Sequence, residues 1–146
     1  SLQREPVGLV ILQFGGNAVP YFKSKEAVLR YGEAFRRQIR LFQEALPGAN
    51  ILVVGPSDMA VKEGLDWVSY PFVDDVRDAL KMAAFAEGAA FFDVMDFMGG
   101  PGGMVDWVHQ NPPLAGPDHI HFTPRGAKKV AKALVESMQS ELQRYE

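Results

Sequence analysis

The chain has 146 residues, a length at which one domain can bury about 70% of the surface that its unfolded chain exposes. Its 47% hydrophobic and 23% charged residues are ordinary for a globular protein, and a net charge of −3 with both signs interspersed offers nothing to a nucleic acid or an anionic membrane. The absence of cysteine excludes disulfides, thiol catalysis and cysteine-based zinc sites but leaves the compartment open, and no apolar run approaches the roughly 18 residues of a membrane span.

Val7 to Phe14 (VGLVILQF) is a nearly continuous apolar run, the pattern of a strand covered on both faces. Gly15-Gly16-Asn17 follows at once: glycines allow a sharp turn and close backbone approach, and an asparagine there projects its amide over the carboxyl edge of the sheet. Gly and Asn are also the commonest turn residues, so this turn by itself reads as structural. Ser24 is placed to cap a helix in which Val28, Gly32, Phe35, Ile39, Phe42 and Leu46 recur at spacings of four and three, and Pro47-Gly48 ends it.

Ile51 to Val54, closed by Gly55-Pro56, is a second strand, and Ala89 to Asp93 a third and weaker one. Between them, a helix over about Asp74 to Glu87 carries acidic residues in its first turn and turns Val76, Leu80 and Ala83 inward. A Gly/Pro-rich loop over about Val94 to His119 is long enough to have a function of its own. Thr123-Pro124 reads as cap and first residue of a last helix, with Val130, Leu134, Met138 and Leu142 inward. The order β-α-β-α-β-loop-α predicts an α/β fold with three parallel strands side by side in chain order.

The strongest motif is Asp118-His119-Ile120-His121, just ahead of the last helix. An Asp three residues before a His can fold back so that its carboxylate meets one imidazole nitrogen, fixing the tautomer and stabilising the imidazolium formed when the His takes a proton. His119, two residues from His121 on an extended loop, would face the opposite side, and His109 reads as solvated. The glycines at 99, 100, 102 and 103 lack the Lys-Ser/Thr of a phosphate loop.

In this order and at these places the two motifs resemble the SGNH hydrolases, also called GDSL esterases, over nearly the whole chain. Gly15-Gly16-Asn17-Ala18 is similar to that family's Gly-x-Asn-Asp block, with Ala18 where the family has Asp. Asp118 and His121, followed by Phe122-Thr123 and Gly126, match its Asp-x-x-His block. The stretch from Met104 to Gly126, with Trp107 ahead of Leu114-Ala115, looks like the carbohydrate O-acetylesterase branch. The resemblance implies a flavodoxin-like three-layer sheet, here incomplete, with residues 1–146 forming a single domain or the C-terminal part of one. It further implies His121 as general base, Asp118 as its orienting partner and Asn17 as oxyanion donor. Gly15, Gly16 and Trp107 would bind a carbohydrate ester, with no metal and no cofactor.

The family's Gly-Asp-Ser block and its second, glycine-bearing block are missing. The serines are Ser1, Ser24, Ser57, Ser69, Ser137 and Ser140; only Ser57 follows a strand, and in the resemblance that turn is not catalytic. The nucleophile is therefore expected outside this chain. Removing the family's first strand would turn Val7–Phe14 into an unprotected edge, which predicts a homo-oligomer through that region. Two other readings stay open on sequence: a non-catalytic relative that binds glycans or a partner, and an unrelated flavodoxin-like ligand-binding domain.

Overall fold

The computed structural model describes residues 5–144, with side chains described to residue 141. The chain divides into two compact units. The first comprises the described residues up to Pro56 together with Pro71–Asp93, and the second comprises Ser57–Tyr70 together with the residues from Val94 onward.

The first unit is a mixed α/β structure. Its strands β1 (Leu9–Gln13), β2 (Asn50–Val54) and β5 (Ala90–Phe92) form a parallel sheet in the order β1-β2-β5. The register sets Leu9 opposite Asn50 and Gln13 opposite Val54, then Leu52 opposite Ala90 and Val54 opposite Phe92. Flanking them are α1 (Lys25–Ala45) and α2 (Val73–Ala86). The Ser24 hydroxyl accepts from the Ala27 amide at 3.2 Å, supplying the expected cap of α1. Val28, Gly32, Phe35 and Ile39 form the buried stripe of that helix, with Phe42 half-buried beyond them. Gly32 lets the helices approach closely, since a Cβ there would lie 3.2 Å from the Cβ of Ala79 in α2. Ile39 and Leu80 are fully buried, each worth roughly 1.5–3 kcal/mol of apolar transfer.

One strand departs from its sequence pattern. Val7 to Phe14 reads as covered on both faces, yet the ordered strand is shorter and lies at the sheet edge, with Leu9 38% and Ile11 50% exposed while Leu12 is buried. Apolar composition reports that a strand has somewhere to bury itself. It does not distinguish a central strand from an edge strand.

The second unit contains an antiparallel hairpin that the sequence reading omits: β3 (Ala60–Glu63) pairs with β4 (Asp66–Ser69) around a Gly64-Leu65 turn. The stretch read as a long loop carries two short helices, α3 (Val94–Phe97) and α4 (Gly103–Val108), and the glycine run connects them. The hairpin is fastened to that stretch by side chains. The fully buried carboxylate of Asp58 accepts from the Met104 amide at 3.0 Å, and the Ser69 hydroxyl accepts from the Gly102 amide at 3.0 Å, so two N–H groups at the start of α4 find partners. The last helix, α5 (Pro124–Arg144), is capped as expected, with Thr123 Oγ1 accepting from the Gly126 amide at 3.2 Å. Its expected inner residues Val130, Leu134 and Met138 are only half-buried, and the side chain of Leu142 lies outside the described residues.

Candidate functional site

In the second unit, Asp118 and His121 sit at the tip of a narrow chain reversal between Leu114 and Thr123. The Thr123 amide donates to Leu114 O at 3.1 Å, and the Gly116 amide to His121 O at 2.8 Å, so the two arms are laced together like a hairpin. At the tip, Asp118 Oδ1 accepts from the amides of Ile120 (3.0 Å) and His121 (3.1 Å), the self-capping that aspartate makes in tight turns. This leaves Oδ2 free to meet His121 Nδ1 at 2.7 Å.

The hydrogen bond from the His121 side chain, followed by those from the His121 and Ile120 amides, holds the Asp118 carboxyl down from 3.8 to about 2. Asp118 is therefore an anion at any pH where an imidazole titrates. An anion on Nδ1 keeps the proton on that nitrogen and leaves the lone pair on Nε2, which makes no hydrogen bond among the described residues. The His121 side chain is 81% exposed, so this basic nitrogen opens to solvent. A carboxylate-oriented imidazole of this kind can accept a proton from a hydroxyl and return it to a leaving group.

The neighbouring histidine has the opposite environment. His119 is 5% exposed, and its ring lies flat on the Trp67 indole at a centroid distance of 3.7 Å and an interplanar angle of 9°. Its Nδ1 lies 2.9 Å from Pro117 O, which can only accept, so Nδ1 carries the proton, and the buried Nε2 has no partner. His109 is exposed, with Nδ1 2.8 Å from Val105 O.

In the first unit, Gly15 takes φ 103°, and its carbonyl accepts from the amides of Ala18 (3.0 Å) and Val19 (3.3 Å), winding the turn into a short 3₁₀ helix, Gly16–Tyr21. Gly15 is buried, Gly16 half-buried and Asn17 exposed, with no side-chain hydrogen bond on Asn17 among the described residues. Its amide is free to donate. Asp93, just past β5, is not free in this sense: Arg77 and Lys81 lie 3.3 and 3.4 Å from its Oδ2.

Trp107, 5% exposed, packs edge-on to Phe97 and against Phe122 at a centroid distance of 5.4 Å, and so anchors α4. Ser57 is half-buried in the segment after β2. Among the described residues no group of three or more His, Cys, Asp or Glu could hold a metal ion, and no helix is long and apolar enough to cross a membrane. Sequence reasoning passed over Trp67 and the fully buried Asp58. No local signal marks either, because each acquires its role from a partner dozens of residues away.

No protein-family model matches the chain, and no curated protein matches it. Among solved structures, it is similar to one described as a peptidoglycan O-acetylesterase in action, with a TM-score of 0.84 and 23% identity over 93% of this chain. The chain spans 38% of the length of that neighbour. The likeness shows a shared fold: a three-strand parallel α/β arrangement with flanking helices, as in part of a flavodoxin-like domain.

Proposed function

We propose that this chain is the C-terminal part of an SGNH-type serine esterase that hydrolyses acyl esters of carbohydrate, with acetyl as the acyl group and the nucleophilic serine outside these 146 residues. The observation that carries the reading is the Asp118–His121 pair at 2.7 Å, with the second imidazole nitrogen open to solvent. The turn of Gly15, Gly16 and Asn17 after a parallel strand, and the fold shared with an O-acetylesterase, support it.

In this reading His121 Nε2 takes the proton from the serine hydroxyl as its oxygen attacks the ester carbonyl. Asp118 stabilises the resulting imidazolium as the tetrahedral intermediate forms. As the intermediate collapses, the imidazolium protonates the departing sugar hydroxyl, leaving an acyl-serine. Water, deprotonated by His121, then releases the acid and restores the serine. An oxyanion donor is typically worth about 10²–10³ in turnover, whereas loss of the nucleophile costs on the order of 10⁶.

The chain alone should therefore turn over p-nitrophenyl acetate at background rate. A longer protein that contributes the serine should release acetate from an O-acetylated oligosaccharide, and His121→Ala should remove that activity. Robust turnover by the chain alone, with a serine-directed inhibitor labelling Ser57, would place the nucleophile inside it. If His121→Ala leaves the longer protein fully active, or if that protein binds glycan without hydrolysing it, the esterase reading fails.

A further inference from the structure

We infer that His119 and Trp67 are positioning residues for the Asp118–His121 pair, with the β3–β4 hairpin serving as the platform that holds the turn in shape. The inference rests on the esterase reading only in calling His121 the base. The two histidines of Asp-His-Ile-His divide the work: one is exposed and meets Asp118, the other is buried and fixes the chain that carries both.

His119 is held at four points. Its amide donates to Gly116 O at 3.0 Å, its carbonyl accepts from the Ala60 amide at 2.9 Å, its Nδ1 donates to Pro117 O at 2.9 Å, and its ring lies on Trp67 at 3.7 Å. Two of these contacts, Ala60 and Trp67, come from the two strands of the hairpin. They hold His119 at φ 57°, a left-handed conformation that side chains other than glycine adopt at a cost. That conformation reverses the chain between Asp118 and Ile120. The Asp118 carboxylate can then cap the Ile120 and His121 amides with one oxygen and reach His121 Nδ1 with the other.

A free turn of this sequence has no reason to stay in so narrow a geometry, because the Asp118–His121 contact is between two exposed side chains and is weak by itself. The buried stack and the bond from Ala60 supply the constraint from below. This gives the hairpin, the Trp67 ring and the departure of His119 from ordinary backbone geometry a common purpose.

The test uses the 146-residue chain and nuclear magnetic resonance, and needs no ester turnover. Carbon-13 titration follows the Asp118 carboxyl, and nitrogen-15 shifts report the tautomer of neutral His121. In the unaltered chain Asp118 should titrate at about 2, with the His121 proton on Nδ1. Trp67→Leu should move Asp118 into the ordinary carboxylate range and mix the His121 tautomers, while Trp67→Phe, which keeps a flat ring, should retain most of both signatures.

His119→Gly separates positioning from mere packing. It relieves the left-handed strain, which offsets part of the packing lost with the ring, and by removing the anchored ring it should shift both readouts. If Trp67→Leu fails to fold, His119→Gly decides. Asp118 still titrating at about 2 and an unchanged His121 tautomer in a folded His119→Gly chain would overturn the inference. The esterase reading stands or falls separately, on whether His121→Ala abolishes turnover in the serine-bearing protein.

Discussion

Replacing Gly15 by alanine tests whether the turn that presents Asn17 is dictated by sterics. The glycine adopts φ 103° and ψ −40°, outside the ordinary regions for residues with a Cβ, which costs roughly 1–2 kcal/mol for alanine. A Cβ there would also lie 2.8 Å from Leu80 Cδ1 and 3.2 Å from Val76 Cγ1. Leu80 and Val76 are both 0% exposed, so neither can retreat into solvent, and overpacking of this kind adds roughly 1–3 kcal/mol. The sum is a destabilisation on the order of 2–5 kcal/mol. Gly48→Ala is the matched control: φ is 87°, but a Cβ meets nothing within 4 Å, so only the conformational cost remains. Urea unfolding followed by far-ultraviolet circular dichroism measures both. Tryptophan emission is the wrong probe for the first unit, because Trp67 and Trp107 both belong to the second. Equal unfolding free energies for the two variants, within about 0.5 kcal/mol, would refute the packing argument. If instead Gly15→Ala is lower by about 1–3 kcal/mol, the turn is shaped by Val76 and Leu80.

Asp118 makes stability depend on pH in a narrow window. Its carboxyl lies near 2 in the folded chain against an ordinary 3.8, so its contribution is present above about pH 4 and lost as pH falls through 2. Its half-exposed side chain keeps that contribution small. Asp118→Asn, which keeps the oxygen that caps the turn, should remove that part of the acid slope, and identical urea midpoints for the two chains from pH 4 to 2 would count against it. We also propose that the chain self-associates through the β1 edge, where an apolar strand presents Val7, Leu9, Ile11 and Phe14 between 38% and 50% exposed. Light scattering at low micromolar concentration should show a dimer or larger species that Ile11→Lys returns to monomer; a monomer before the substitution would sink the proposal.

Much of this molecule is local, and what is local was legible. The Ser24 and Thr123 caps are bonds to amides three residues on, so the residue types and spacing specify them. The stripe of Val28, Gly32, Phe35 and Ile39 follows from 3.6 residues per turn, and three apolar runs separated by helices predict parallel strands in chain order, as observed. The Asp118–His121 contact was legible in part, because a separation of three residues brings both side chains to one turn, while the supports of that turn come from the distant hairpin.

Only the tertiary structure decided the rest. The β3–β4 hairpin has four-residue strands too short to show a clear period, and its Trp67 gains meaning from a ring 52 residues further along the chain. Asp58 reads as an ordinary turn residue, and its complete burial follows from the Met104 amide 46 residues away. His119 and His121 are the same residue type two positions apart, and the motif that contains them cannot say which is buried. A sequence pattern encodes periodicity and short-range bonding, since those depend on neighbours along the chain. Burial, stacking and the choice of which histidine faces water depend on what the fold brings in from elsewhere, and no window of adjacent residues contains that.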